Sequence, residues 1–243
     1  MSVSPPQGHG SSHAPARGDA RERRIALFGG TFDPIHIGHL AVARAAERRF
    51  HLDEIHFIPT GRPPHKHRRD MASYADRYAM VAIACADHPR FIASLAESGA
   101  GHSGSEIYYS VDTVKRFKHK FHGAGVHLYF LMGADSFLHI PAWRDYETLL
   151  GLCDFIVASR PGFNVDTLRL VIPPELFARP GSAHASLDPR AIALRRTTIY
   201  VLDAVASHVS ATEVRQRLDS NESIHGLVPP RVEEYITKQA MYR

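Results

Sequence analysis

The chain has 243 residues, of which 44% are hydrophobic and 22% charged, proportions typical of a globular domain with a sizeable core. Its formal net charge is +4, and residues 1–24 hold four arginines against two acidic residues. The remainder is therefore nearly neutral, which argues against a nucleic-acid partner. No apolar run is long enough to span a membrane, and the N-terminus lacks the apolar core of a secretion signal. We expect a cytoplasmic protein without a membrane partner.

Two cysteines, Cys85 and Cys153, lie far apart in apolar surroundings. Without a Cys-x-x-Cys pair they indicate buried thiols in a reducing compartment. Residues 1–23 are dominated by Gly, Ser, Pro, His and Arg, which predicts a disordered tail. We expect residues 24–243 to form a single domain.

Short apolar runs and helical segments alternate along the chain. Residues 25–28 form an apolar run that ends at a glycine pair, residues 40–50 are alanine-rich, and residues 55–58 form a second apolar run. This pattern predicts a β-α-β unit with a parallel sheet. Further helices are predicted at 76–87, 111–121, 143–153 and from about 211 and 228, and further strands at 91–95, 126–132, 155–158 and 197–202.

This order of elements predicts an α/β fold with a doubly wound, mostly parallel, Rossmann-like sheet and a helical C-terminal end. Residues 179–196 show neither pattern, and we expect them to form a surface insertion. In such sheets ligands bind beyond the carboxyl ends of the strands.

The segment from Gly29 to His39 follows the first strand directly. Gly29 and Gly30 would allow the backbone to approach a ligand closely, and Gly38 would allow close packing where the helix begins. His36 and His39 are three residues apart, so both imidazoles can point the same way beside the free N–H groups of the helix. These features together favour binding of phosphate oxygens. Two alternatives remain, a zinc site that would need a third ligand and a purely structural histidine pair.

The same segment resembles the His-x-Gly-His signature of the nucleotidyltransferase superfamily. Its full form, Gly-Gly-Thr-Phe-Asp-Pro-x-His-x-Gly-His, is similar to that of bacterial nicotinate-nucleotide adenylyltransferases. The resemblance implies that the segment binds ATP through Gly29, Gly30, Thr31, Phe32, Gly38, His36 and His39.

A second motif begins at Ser210. Ser210 is a favourable N-cap for the helix that follows, and Thr212 and Arg215 share one helix face. The stretch could be an ordinary capped helix with a surface arginine. It resembles, however, the Ile-Ser-x-Thr-x-x-Arg motif of the family, with Val209 in place of the isoleucine. The resemblance implies that Ser210, Thr212 and Arg215 hold the ATP phosphates.

Two basic positions also match the family. The loop Pro63-Pro64-His65-Lys66 resembles a family loop beside the triphosphate, which implies that Lys66 is a charge clamp. Arg160 lies in an Arg-Pro-Gly segment after a strand, where the family's arginine approaches the adenine or the phosphates.

The resemblance also implies a pocket for a pyridine nucleotide. It places Tyr109 and Ser110 in the pocket wall, with Ser110 as a helix N-cap, and Asp135 on a ribose hydroxyl, with Ser136 as a second N-cap. Trp143, the only tryptophan, could stack on the cationic pyridinium ring or could be a core residue. Arg144 departs from the aromatic residue that relatives often have at its position.

The implied activity is AMP transfer from ATP to nicotinate mononucleotide, giving deamido-NAD and pyrophosphate. Mg²⁺ is expected to accompany ATP, held mainly by phosphate oxygens and water, with no metal site formed by protein ligands. Alternatives are a relative that uses nicotinamide mononucleotide or phosphopantetheine, and a catalytically silent nucleotide-binding module. A class I aminoacyl-tRNA synthetase is excluded, because the chain has no Lys-Met-Ser-Lys-Ser-like loop and no room for a tRNA-binding domain.

Overall fold

The computed structural model describes residues 22–61, 71–99, 107–122, 125–160, 162–179, 188–203 and 209–242. Within these ranges the strands are β1 (Arg23–Gly30), β2 (Glu54–Pro59), β3 (Phe91–Ala93), β4 (Val126–Gly133), β5 (Asp154–Ser159), β6 (Ala191–Ala193) and β7 (Thr198–Asp203). The helices are α1 (Ile37–Phe50), α2 (Tyr74–Cys85), α3 (Ser110–Lys120), α4 (Ala134–Leu138), α5 (Tyr146–Leu150), α6 (Asp166–Arg169), α7 (Ala211–Asp219) and α8 (Pro230–Lys238).

The strands form one seven-stranded sheet in the order β3-β2-β1-β4-β5-β7-β6. All neighbouring pairs are parallel except β6 and β7. The order runs one way from β1 through β2 to β3 and the other way from β4 through β5, so the sheet is doubly wound with its switch point between β1 and β4. The predicted fold class is confirmed.

Both faces of the sheet are covered, which explains the unbroken apolar runs of its strands. Along β1, Ala26 and Phe28 join a core that includes buried residues of α1, α2 and α8. Ile25 and Leu27 point into the opposite core, which includes α3 and α5. Alternate residues of one strand thus bind two helical layers together.

Several local predictions differ from the structure. Part of the segment 179–196, expected to be a surface insertion, forms the edge strand β6, which pairs antiparallel with β7. Ser110 is the first residue of α3 rather than its N-cap, and Ser136 lies inside α4, whose N-cap is Gly133. The helix predicted at 143–153 begins only at Tyr146, because the backbone of Asp145 is left-handed, with φ of 49°.

The prediction of two buried, unpaired thiols at Cys85 and Cys153 is confirmed. In the part of the chain that the structure describes, no helix is long and apolar enough to cross a membrane. The predicted boundary at residue 24 stays a prediction, since residues 1–21 lie outside the described ranges.

Candidate active site

A cavity of about 670 Å³ opens at the carboxyl ends of β1, β4 and β5, directly above the switch point of the sheet. Ligands of doubly wound folds bind at this position. Of the residues predicted to bind ATP or to act on it, the following line the cavity: Gly29, Gly30, Thr31, Phe32, His36, Gly38, His39, Arg160 and Ser210. Asp135, predicted to hold the other substrate, lines it as well.

The loop after β1 is shaped by Phe32. Its backbone is left-handed, with φ of 49°, and its buried ring folds back over the glycine pair. A Cβ added at Gly30 would lie 3.0 Å from the Phe32 ring, whereas one at Gly29 would make an ordinary contact of 3.5 Å with Phe130. A side chain at Gly30 would therefore push the Phe32 ring by a few tenths of an ångström, so the packing of the loop itself favours glycine there.

The histidines lie face to face at the beginning of α1. The ring centroids of His36 and His39 are 3.7 Å apart, with an angle of 29° between the planes. The backbone N–H of His36 donates to Nδ1 of His39 over 3.2 Å. Nδ1 of His39 is thus an acceptor, so a neutral His39 carries its proton on Nε2. Nδ1 of His36 is buried and has no hydrogen-bond partner among the described residues.

Both imidazoles are held in the neutral form. Burial lowers the pKa of His36 from 6.5 to about 4, although Glu213 acts in the opposite direction. Burial, and secondly the neighbouring His36, lower the pKa of His39 well below 6.5. Neutral imidazoles can donate hydrogen bonds to phosphate. A zinc site would need a third ligand, and no group of three or more potential metal ligands occurs within the described ranges.

Helix α7 brings the second motif to the same cavity. The Ser210 hydroxyl accepts from the backbone N–H of Glu213 over 3.1 Å, which confirms the predicted N-cap. Arg215 donates from Nη1 to the backbone oxygen of Asp33 over 2.6 Å, and its Nη2 lies 3.5 Å from Oγ1 of Thr212. Arg215 therefore joins α7 to the loop after β1. Neither Arg215 nor Thr212 is part of the cavity lining.

A smaller cavity of about 230 Å³ adjoins the larger one. The two have a common wall formed by Gly29, Gly30, Thr31, Gly133 and Ser136. Ser110 and Trp143, both predicted to hold the pyridine nucleotide, line the smaller cavity. The Trp143 ring packs edge-on against Phe130, with centroids 6.3 Å apart. The site thus has two compartments that meet at the ends of β1 and β4.

The remaining predicted residues lie at the rim or outside the described ranges. Tyr109 is not part of either lining, and its ring is covered by the guanidinium of Arg144 at 4.6 Å. Lys66 lies among residues 62–70, outside the described ranges. Its predicted role as a charge clamp stays a prediction.

Two buried charged residues that the sequence did not reveal support the site. Arg77 of α2 donates to the backbone oxygens of Thr31 at 2.8 Å and Gly61 at 3.4 Å. Glu97 lines the smaller cavity and accepts from the Gly61 N–H at 3.1 Å and the Thr113 hydroxyl at 2.9 Å. Burial raises the pKa of Glu97. Neither residue lies in a recognisable motif, so only the pairing of distant segments identifies them.

Comparison with known proteins agrees with this architecture. The cytidylyltransferase-like family matches residues 27–217. A protein of Moorella thermoacetica named probable nicotinate-nucleotide adenylyltransferase is 38% identical over 223 residues, which cover 92% of this chain and 93% of the relative. One of Citrifermentans bemidjiense with the same name is 36% identical over 90% of this chain and 98% of the relative.

Among solved structures, nicotinic acid mononucleotide adenylyltransferase of Plasmodium falciparum, complexed with NaAD, superposes with a TM-score of 0.67. The alignment covers 90% of this chain and 97% of that one at 19% identity, and the TM-score shows that the two proteins have a common fold. The fold, the match to the family over most of the chain and the two bacterial relatives show that this chain belongs to the nicotinate-nucleotide adenylyltransferases of the cytidylyltransferase-like family.

Proposed function

We propose that the chain transfers AMP from ATP to nicotinate mononucleotide, giving deamido-NAD and pyrophosphate. The observation that carries the proposal is the pair of adjoining cavities with a common wall at Gly29, Gly30, Thr31, Gly133 and Ser136. We assign ATP to the larger compartment and the pyridine mononucleotide to the smaller one, where Trp143 can stack on a cationic ring. The phosphates of the two substrates then meet at the common wall.

The reaction is an in-line displacement at the α-phosphorus of ATP. An oxygen of the mononucleotide 5′-phosphate forms a bond to that phosphorus, and the bond to the oxygen of the departing pyrophosphate breaks. The attacking phosphate is already an anion at neutral pH, so no general base is required. The work of the protein is to align two anions and to stabilise charge as it moves to the leaving group.

Hydrogen-bond donors around the larger compartment suit this work. Nε2–H of His39 is a donor whose direction is fixed by the bond at Nδ1. The first turn of α7 presents free backbone N–H groups behind its Ser210 cap, and such helix ends favour anions. Arg160 supplies a full positive charge at the end of β5. We infer that Arg215, tied to Asp33, and Lys66 complete the set.

Mg²⁺ fits the site as an ion delivered with ATP. The carboxylates among the described lining residues of the larger compartment are Asp33 and Asp135, and Asp33 already accepts hydrogen bonds from Tyr242 and Ala72. Asp135 is exposed and could contribute one oxygen ligand. We infer that phosphate oxygens and water supply the remaining ligands, as Mg²⁺ commonly requires.

Measuring pyrophosphate release with MgATP and each of three acceptors tests the proposal. Nicotinate mononucleotide is expected to give the highest kcat/KM, with nicotinamide mononucleotide and phosphopantetheine well below it. A higher kcat/KM with nicotinamide mononucleotide or with phosphopantetheine would show that nicotinate mononucleotide is not the preferred acceptor. Release with none of the three would instead favour a silent nucleotide-binding module.

Trp143→Ala tests the assignment of the two compartments in the same assay. Loss of the indole is expected to raise the KM for the mononucleotide roughly tenfold, the upper part of the range for stacking on a cation, with the KM for ATP unchanged. Tyr146→Ala is the matched control, since Tyr146 packs against the same core but lines neither compartment. An equal rise in both KM values for Trp143→Ala would contradict the assignment.

A further inference from the structure

Tyr242, the last residue that the structure describes, forms a hydrogen bond to the loop after β1. The phenol of Tyr242 donates to Oδ1 of Asp33 over 2.7 Å, across 209 positions of sequence. Asp33 is 2% exposed and lies in the loop that carries His36. A hydrogen bond from a hydroxyl to a buried carboxylate is among the stronger neutral-to-charged contacts in proteins.

Asp33 connects three separate parts of the chain. Its Oδ1 also accepts from the backbone N–H of Ala72 over 3.1 Å. Its backbone oxygen accepts from Nη1 of Arg215 over 2.6 Å, and its Oδ2 lies 3.9 Å from the same nitrogen. The position of the Arg215 guanidinium therefore depends on how the carboxylate of Asp33 is satisfied.

The backbone after α8 is bent to bring Tyr242 to this point. Ala240 and Tyr242 both have left-handed backbones, with φ of 49° and 60°, conformations that cost non-glycine residues roughly 1–2 kcal/mol each. The backbone N–H of Met241 donates to the oxygen of Ile236 over 3.1 Å, and Met241 and Tyr242 pack against the core. The contacts formed at the end of the chain must offset this cost.

We propose that Tyr242 is a positioning residue, which sets the guanidinium of Arg215 for the ATP phosphates by satisfying Oδ1 of Asp33. The inference rests on the proposed function in one respect only, the assignment of Arg215 to the phosphates. Without the phenol, Oδ1 keeps one donor and the buried carboxylate attracts Arg215 more strongly. Nη1 then moves from the backbone oxygen toward Oδ2, and the guanidinium leaves the position beside the Asp33 backbone from which we assign it to the ATP phosphates.

The first test compares Tyr242→Phe with Tyr235→Phe. Tyr235 is a matched control because its phenol also donates to a carboxylate, Oδ1 of Asp76 at 2.9 Å, and it lies on α8 near the same end of the chain. Tyr242→Phe is expected to raise the KM for ATP about five- to twentyfold, less than the loss of a whole bond to a charged group, because only part of that free energy reaches Arg215. The KM for the mononucleotide and kcat should change less than threefold, and Tyr235→Phe should leave all three constants unchanged.

A thermodynamic cycle with Arg215→Lys separates positioning from general destabilisation. If Tyr242 acts through Arg215, the loss of ATP affinity in the double variant is much smaller than the product of the two single losses. Independent losses that multiply would overturn the proposal. An equal effect of Tyr242→Phe on both substrates, or the same effect from Tyr235→Phe, would overturn it as well.

Direct binding of MgATP, measured by calorimetry without acceptor, distinguishes this inference from the proposed function. Weaker MgATP binding by Tyr242→Phe supports the positioning role even if nicotinate mononucleotide proves not to be the acceptor. Unchanged binding contradicts that role whatever the acceptor. A variant that lacks residues 242–243 can be tested in the kinetic assay and by calorimetry as well. It is expected to bind MgATP at least as weakly as Tyr242→Phe does.

Discussion

At the scale of single residues, the histidine pair is neutral, and we propose that it donates hydrogen bonds to phosphate. The backbone N–H of His36 donates a hydrogen bond to Nδ1 of His39. The ring proton of neutral His39 therefore lies on Nε2. Burial keeps the pKa values of both histidines below 6.5. A donor that is neutral and already oriented needs no rearrangement when charge develops on the phosphates. This arrangement favours charge stabilisation over proton transfer as the role of His39.

We expect His39→Ala to lower kcat by about 10²–10³, the usual effect of removing one preorganised donor from a developing anion. The measurement is steady-state pyrophosphate release with MgATP and mononucleotide saturating. His88→Ala is the control, because His88 also has a pKa lowered by burial but lies outside both cavities. Near-normal turnover of His39→Ala would show that Nε2–H does not contact the reacting phosphates.

At the scale of secondary structure, the beginning of α7 combines two roles. Ser210 caps the helix by accepting from the N–H of Glu213, and it also lines the larger cavity. Ser73 caps α2 in the same way, accepting from the N–H of Asp76 over 3.1 Å, but it lies outside that cavity. Comparing variants of the two serines can therefore distinguish an effect on helix stability from an effect on ligand binding.

Ser210→Ala and Ser73→Ala are each expected to lower the free energy of unfolding by about 1 kcal/mol, the typical contribution of an N-cap. Chemical denaturation measures this effect. Only Ser210→Ala should also raise the KM for ATP, by a few fold, since Ser210 lines the compartment that we assign to ATP. A rise in the KM for ATP with Ser73→Ala would mean that loss of stability alone explains the kinetics.

At the scale of the whole molecule, the core contains a histidine away from the active site. His56 of β2 is buried beside the rings of Phe117 and Phe121, whose centroids lie 5.2 Å and 6.3 Å from its own. Burial lowers its pKa below 6.5, although Glu54 raises it in part. His127 on β4 differs, because its hydrogen bond to Asp154 raises its pKa above 6.5.

The two histidines are expected to affect stability on opposite sides of pH 6.5. The stability that neutral His56 contributes is complete above 6.5 and is lost as pH falls toward its lower folded pKa. The contribution of His127 is complete below 6.5 and is lost as pH rises through its higher folded pKa. Unfolding free energies measured from pH 5 to pH 8 should fall less steeply toward acid in His56→Gln. In His127→Gln the loss of unfolding free energy should be largest below 6.5 and should shrink as pH rises above 6.5, and the reverse assignment would contradict these pKa directions.

Local chemistry explains which features the sequence predicted. The glycine pair that ends β1, the close spacing of His36 and His39, and the Ser210 cap each involve residues within a few positions of one another. Their geometry is set by backbone conformation and helix periodicity, which short segments determine. Helix starts were misplaced by one residue where either of two neighbouring residues could be the N-cap. At α3, for example, the helix begins at Ser110, one residue earlier than predicted.

Tertiary structure decided the features that depend on distant pairing. The neighbouring positions of β1 and β4, which create the two-compartment site, follow from the strand order and not from any local pattern. Glu97, Arg77 and Tyr242 acquire their roles from partners on other elements. The sequence by itself determined the chemistry of the loop that we propose to bind phosphate, because that loop is local. Only the folded chain decided which buried charges and hydroxyls support it, because their partners meet only when the sheet and its helices pack together.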